Sequence, residues 1–215
     1  MQKFINEKEN VAREDVQGFC LAYPNYVKCT EGGLIVRNPQ KKEGKVGLVI
    51  GHGIGHEPSM CGWVGRGLLD VDVPGEIFTC ADATKIARGI KKADRGAGVV
   101  QLIANHEGDV LNGEMAYDLA RSEVSELEKV IVYDDIATAP VGQEEERRGI
   151  AGMFFAFKVA GASAERGDGI EEVVRLTKKA RDNTRTLGVA LSPPTNPVTG
   201  EKMFDLAEDQ MEIGM

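Results

Sequence analysis

The chain has 215 residues, 42% of them hydrophobic and 28% charged, ordinary proportions for a globular protein with a sizeable core. Its formal net charge is -8 and its lysines and arginines are scattered, which argues against nucleic acid or an anionic membrane as the main partner. The densest basic groups, Lys41-Lys42, Lys91-Lys92 and Lys178-Lys179, read as solvated faces. The N-terminus lacks the apolar stretch of a secretory signal, and no segment reaches the roughly 18 apolar residues that a membrane span needs. Four cysteines (Cys20, Cys29, Cys61 and Cys80) are widely spaced with no C-x-x-C pattern. They read as reduced thiols, each a small buried hydrophobe, and the expected compartment is the cytoplasm.

The N-terminal segment to about Gln17 carries Phe4, Ile5, Val11 and Val16 at helical spacing and predicts one or two helices on the outside of a core. Turn signals flank a short strand at Leu34–Arg37. An alternation of elements then begins. Lys45–Ile50 reads as a buried strand, followed by a glycine-rich loop over 51–58 and a helix after Pro58. Gly75–Cys80 reads as a second strand and Ala97–Ala104 as a third, separated by a helix over Asp82–Asp94 with Asp82 at its N-cap. Gly108–Val124 predicts a helix with Leu111, Met115 and Leu119 on one face. Glu128–Asp135 is a fourth strand. A charged loop with Glu144–Arg148 follows, expected to be solvated, then helices over about Ile150–Glu165 and Gly169–Arg185, and a strand in "LGVALS".

Strands alternating with helices imply an α/β fold: a parallel-rich central sheet with helices on both faces. Residues 1–192 would form this domain. Residues 193–215, rich in proline at first, read as a connector and the start of a second α/β domain, which the chain's end would truncate. In such sheets ligands sit beyond the C-terminal strand ends. Three loops leave those ends: "GHGIGHEP", "NHEGD" and "DDIATAP".

The first loop, Gly51-His52-Gly53-Ile54-Gly55-His56, admits several readings. A dinucleotide fingerprint needs glycine where His56 stands, and a P-loop needs Gly-Lys-Ser/Thr, which is absent. A metal site could draw on His52 and His56 with His106 or Asp109, but the metalloprotease pattern needs Glu where Gly53 stands, and no metal is assigned. A small polar substrate suits the glycines, whose backbone can approach a ligand closely, with His56 as donor or acceptor and Asp109 as proton acceptor. The alternative is purely structural, with Asp109 capping a helix and His56 satisfying loop carbonyls.

The stretches "GHGIGHEPSMCGWVGRGLLDVDVPGEIFTCADATKI", "NHEGDVLNGEMA", "GIAGMFFAFKVAGASAERG" and "DLAEDQMEIGM" together resemble the dihydroxyacetone kinase family, in its substrate-binding subunit or domain, over nearly the whole chain. The resemblance implies a homodimeric α/β protein that presents dihydroxyacetone or a related short ketose for phosphorylation. It implies a separate helical nucleotide-binding kinase subunit carrying ATP or ADP with Mg, and in some bacteria a phosphocarrier subunit acting indirectly. No cofactor is expected on this chain itself. The substrate loop maps onto Gly53, Ile54, Gly55 and His56, with His56 hydrogen-bonding the ketose and Asp109 acting as general base or orienting the reactive hydroxyl. Ala104 stands where the bacterial kinase usually has a lysine, and His52 and Ile54 replace smaller residues of a commoner Gly-Gly-Gly-Ser-Gly-His loop. These departures keep a four-carbon ketose such as erythrulose, and a non-catalytic ketose sensor acting as coactivator, as alternatives. The family's covalent histidine would fall just after Met215. Cys80 is a candidate for the pocket wall, and Trp63 for core or pocket wall.

Overall fold

The computed structural model describes residues 4–40 and 43–215. Lys41-Lys42 and the first three residues of the expected N-terminal helical segment lie outside the described residues. In chain order the elements are α1 (Val11–Ala22), β1 (Val27–Cys29), β2 (Ile35–Arg37), β3 (Gly47–Ile54), β4 (Val71–Ile77), α2 (Ala83–Ala93), β5 (Val99–Ala104), α3 (Glu107–Ala120), β6 (Leu127–Val132), α4 (Met153–Arg166), α5 (Ile170–Asn183), β7 (Val189–Ala190) and β8 (Glu212–Ile213).

Strands rich in β-branched residues, with little polar alternation, need cover on both faces. The sheet order is β1-β2-β4-β3-β5-β6; β4, β3, β5 and β6 run parallel, and β1 and β2 add an antiparallel edge. One face buries Val49, Val71, Val73 and Val99 against α2 and α3. The other buries Leu48, Ile50, Val100 and Leu102 beneath α1, α4 and the segment joining β3 to β4. The parallel-rich α/β sheet expected from the sequence is therefore the architecture. Asp82 caps α2 as expected, accepting a hydrogen bond from the Lys85 amide at 2.9 Å.

Several expectations change. The strand expected at Lys45–Ile50 runs on to Ile54, so half of the supposed glycine loop is strand. No α-helix follows Pro58; the segment makes a single 3-10 turn at Cys61–Trp63. The second parallel strand starts at Val71 rather than Gly75, because Asp72 and Pro74 mimic a turn in sequence. Pro74 is tolerated in this interior strand because it sits where the ladder with β3 becomes irregular. Phe4 and Ile5 are exposed, and α1 packs through Ala12, Val16 and Cys20. Cys29, on the edge strand, is exposed rather than buried.

The face of α3 is reversed. Leu111, Met115 and Leu119 are 61%, 52% and 51% exposed, while Gly113, Ala116 and Ala120 are buried. A Cβ at Gly113 would lie 2.8 Å from Ile103 Cδ1, so small residues are what let the helix sit this close to β5. Just beyond the end of β6, the Met215 amide donates to Asp135 Oδ2 at 2.8 Å, and β7 and β8 pair antiparallel.

Buried charges tie α4 to the sheet. Arg37 Nη1 lies 3.1 Å from Asp70 Oδ1 and 3.0 Å from Glu165 Oε2, and Lys45 also binds Glu165. Burial by itself would raise the Glu165 carboxyl, but hydrogen bonds and charge from Arg37 and Lys45 hold it down at about 2, against an ordinary 4.5. A depressed carboxylate stabilises the fold above its unfolded value and loses that contribution as pH falls through the folded one. Urea melts of wild type and Glu165→Gln are expected to show that the wild type loses extra stability between about pH 4.5 and 2, and that the variant, already weaker at pH 7, lacks this part of the slope.

Glycines give a second test, with opposite signs at two helical sites. A Cβ at Gly161 in α4 would meet the Gly67 and Leu68 backbone at 2.4 Å, while one at Gly18 in α1 would meet nothing within 4 Å. Gly161→Ala is expected to destabilise by about 3 kcal/mol and Gly18→Ala to stabilise by about 0.5–1 kcal/mol in equilibrium denaturation.

Candidate functional site

The candidate site is built where β3 and β4 end together. After Ile77 the chain turns back sharply, with reciprocal hydrogen bonds between Glu76 and Thr79 at 3.1 Å. This turn crosses the end of β3, its Phe78 amide bonding the Ile54 carbonyl at 2.7 Å. The crossing demands glycine. A Cβ at Gly53 would lie 2.6 Å from the Thr79 nitrogen, and one at Gly75 would lie 2.2 Å from the Thr79 oxygen. Gly51 leaves room for Ile86 of α2, and Gly55 adopts φ +114° against the Phe78 ring. Each glycine of the motif thus has a packing reason.

His52 is 2% exposed and Asp72, beside it on β4, is 0% exposed. Nε2 of His52 lies 2.6 Å from Asp72 Oδ1, and Nδ1 lies 2.6 Å from the Gly53 carbonyl oxygen. Burial pulls the imidazole's pKa down, but the charge and hydrogen bond of Asp72 more than reverse this, and the net shift is upward. The His56 ring stacks on His52, with centroids 5.7 Å apart and planes inclined by 27°. His56 is exposed at the strand end. Partial desolvation and then the His52 charge push its pKa below the ordinary histidine value, against the pull of Glu57, Asp109 and Asp72.

Asp109 arrives from the other side, in the first turn of α3. The helix begins at Glu107 with His106 at the N-cap, so Asp109 is not the capping residue. Its Oδ1 is buried and has no hydrogen-bond partner among the described residues. An orphaned acceptor of this kind costs about 1–3 kcal/mol, which a ligand hydroxyl would recover. The Cys80 thiol sits against the same carboxylate; burial and then Asp109 push its pKa well up. The Asp109 charge is also felt at His52 and His56. The loops after β3, β4 and β5 therefore converge.

The remaining expected residues fall differently. Ile54 is 2% exposed beside a cavity of about 10 Å³ also lined by His52 and Asp72, room for about one water. Ala104 is 3% exposed and packs with Leu102, Val130 and Val132, on the sheet face away from α3. His106 donates through Nε2 to the Gly149 carbonyl at 2.7 Å, a structural tie. The third loop does not open toward a ligand. Asp134 accepts from the Ile150 and Gly152 amides at 2.8 Å, fixing the approach to α4, and Asp135 holds Ala137 and Met215. Arg147, expected in a solvated loop, is buried, with Nε donating to the Ala139 carbonyl at 3.0 Å. Trp63 is a partly buried wall residue in edge contact with Phe154 and Phe157. Asp72 went unseen because nothing in "DVDVPGE" marks a buried strand; the cue, in retrospect, is a histidine and an aspartate on two strands that end together.

This is an open α/β domain with polar side chains of adjoining loops gathered at its strand ends. The chain belongs to the Dak1 domain family, whose model matches residues 17–215. It is 42% identical to the dihydroxyacetone-binding subunit of PTS-dependent dihydroxyacetone kinase 1 from Listeria innocua, covering all of this chain and 65% of that protein. It is 41% identical to the D-erythrulose kinase of Mycolicibacterium smegmatis, covering all of this chain and 37% of that one. Among solved structures, the dihydroxyacetone kinase from C. freundii in complex with AMP-PNP and Mg2+ superposes with a TM-score of 0.87 at 32% identity, over all of this chain and 40% of that one. The chain thus spans less than two thirds of the length of these relatives.

Thiol chemistry reads the site directly. Alkylation by iodoacetamide at pH 8 is expected to reach Cys29 first, with Cys20, Cys61 and Cys80 slow. Asp109→Asn removes the charge that raises the Cys80 thiol, so peptide mapping is expected to show faster Cys80 alkylation in the variant, with Cys20 and Cys61 unchanged.

Proposed function

We propose that this chain is the ketose-presenting part of a dihydroxyacetone kinase. The observation that carries the reading is Asp109 Oδ1, buried and without a hydrogen-bond partner among the described residues, in the first turn of α3, with its charge felt at His56. A three-carbon ketose laid across the open side of the strand ends offers a hydroxyl to Asp109 and an oxygen to His56. The cavity on the closed side, about 10 Å³, is far too small for it. Gly53, Ile54 and Gly55 then shape the floor, with Ala104 closing the end of β5 beneath it.

The chemistry asked of the chain is modest. As the ketose hydroxyl oxygen forms its bond to phosphorus, its proton passes to the Asp109 carboxylate, and the bond to the donor breaks. His56, as a neutral imidazole, donates one hydrogen bond and fixes the ketose. Positioning supplies most of the rate, since phosphoryl transfer asks little covalent work of the acceptor side. The nucleotide, ATP or ADP with Mg, belongs to a helical kinase subunit in this reading, ATP being the form that gives up the phosphoryl group. Among the described residues no cluster of three His, Cys, Asp or Glu side chains could hold a metal ion. A phosphocarrier would act on that partner alone. A homodimer, a cytoplasmic setting, and residues 193–215 as connector and opening of a second domain complete the proposal. The unpaired cysteines and the absence of a membrane-length apolar helix among the described residues are compatible with it. The similarity to an erythrulose kinase, at 41%, keeps a four-carbon ketose as the second substrate reading.

The test mixes the protein with a helical nucleotide-binding kinase subunit and ATP, and compares dihydroxyacetone with erythrulose. Phosphorylation of one ketose is expected, and Asp109→Asn is expected to lower kcat by about a hundredfold or more while KM changes little. Near-wild-type turnover in Asp109→Asn would remove the base assignment. Ketose binding without transfer would favour the sensor.

A further inference from the structure

We propose that the buried His52–Asp72 pair is a positioning device for His56: it sets a fixed cationic ring against the His56 ring and so holds His56 as a neutral imidazole at the ketose-facing end of β3. The argument starts from donors and acceptors. Nδ1 of His52 faces a backbone carbonyl, which only accepts, and Nε2 faces a carboxylate oxygen, both at 2.6 Å. Two acceptors call for two N–H donors, so the geometry fits an imidazolium paired with a carboxylate. Both partners are sealed from solvent, at 2% and 0% exposure, so each is the other's counter-charge and water screens the pair little.

The second half is the stack. His56 lies over this ring at 5.7 Å and 27°. Protonating His56 would set two positive rings face to face, which their mutual repulsion and the partial burial of His56 oppose. The other groups bearing on this pair are Asp15 of α1 and Glu57 and Cys61 of the connecting segment, which line the adjoining cavity. Asp109 acts from α3, and Lys85 of α2 feels Asp72. The carboxylates among these favour a charged His56, yet its balance falls on the neutral side. A neutral His56 keeps one donor and one acceptor nitrogen for a hydroxyl or carbonyl, whereas a cation would offer donors only and would attract the Asp109 carboxylate away from the substrate. The benefit to the ketose rests on the function proposed above; the protonation states do not.

The chain has only three histidines, so nitrogen-15 NMR of the imidazoles between pH 5 and 9 can follow each, His106→Asn supplying the assignment by elimination. In the wild type, His52 is expected to stay doubly protonated above the ordinary histidine value of 6.5 while His56 titrates below it. His52→Gln and Asp72→Asn both remove the cation by different routes. The His56 midpoint is expected to rise by about one pH unit in His52→Gln and by less in Asp72→Asn, which also removes an anion that favours a charged His56. A merely structural pair would not raise it in both. A neutral His52 in the wild type, or a His56 midpoint that stays put in either variant, overturns the proposal. If neither variant folds, by thermal melt, the wild-type titration decides: His52 doubly protonated with His56 below 6.5 supports it, and any other result overturns it. Adding dihydroxyacetone separates the two readings, because failure to perturb His56 would count against the ketose function and leave these protonation states intact.

Discussion

Everything near the candidate site depends on one steric constraint: the 76–80 turn can cross β3 only where β3 and β4 have no side chains. Gly53 and Gly75 provide that gap. Because the turn lies there, Phe78 is bound to Ile54, Cys80 is delivered beside Asp109, and the chain after Ile54 is steered away from the sheet so that His56 emerges at the strand end. An alanine at either glycine would collide with backbone, which cannot move aside as a flexible side chain can. The glycines of the motif serve the protein first and a ligand second.

The parallel sheet explains why three distant stretches of sequence meet. β3 lies between β4 and β5, so the segments leaving those three strands are neighbours whatever their separation along the chain. β6 is next in line, but its exit is committed to structure, with Asp134 and Asp135 receiving the amides of the α4 approach and the C-terminal strand segment. Four strand ends therefore yield a candidate site on only three. The charges divide in the same way: Arg37, Lys45, Asp70 and Glu165 bind α4 to the sheet, while Asp72, His52, His56 and Asp109 stand at the strand ends.

How much was legible in the sequence follows from which signals are local. Buried parallel strands announce themselves as apolar runs, and β5 and β6 were placed within a few residues. Asp82 and the helical spacing behind it located α2 nearly to the residue. β4 was misjudged because Asp72 and Pro74 look like a turn until a buried histidine on the adjacent strand gives the aspartate its partner. The inward face of α3 was misread for a related reason. Large apolar residues signal burial only if there is room for them, and the spacing between α3 and β5 is set by Ile103 and Gly113. His56 and Asp109 were legible through resemblance. His52 stands out in the sequence as a candidate metal ligand and as a departure from a commoner loop, but its pairing lies in a contact with a residue twenty positions away.

The reversed helix α3 has a consequence for how this protein could diverge. Usually the oily stripe of a helix is the part that cannot drift. Here Leu111, Met115 and Leu119 face outward, so in the described chain nothing in the core restrains them. The constrained positions are the smallest ones, the buried Gly113, Ala116 and Ala120; at Gly113 one added methyl group would press on Ile103 and lift the helix that carries Asp109. As far as this domain's own core is concerned, lineages descended from this chain would be expected to keep the small side of α3 nearly fixed.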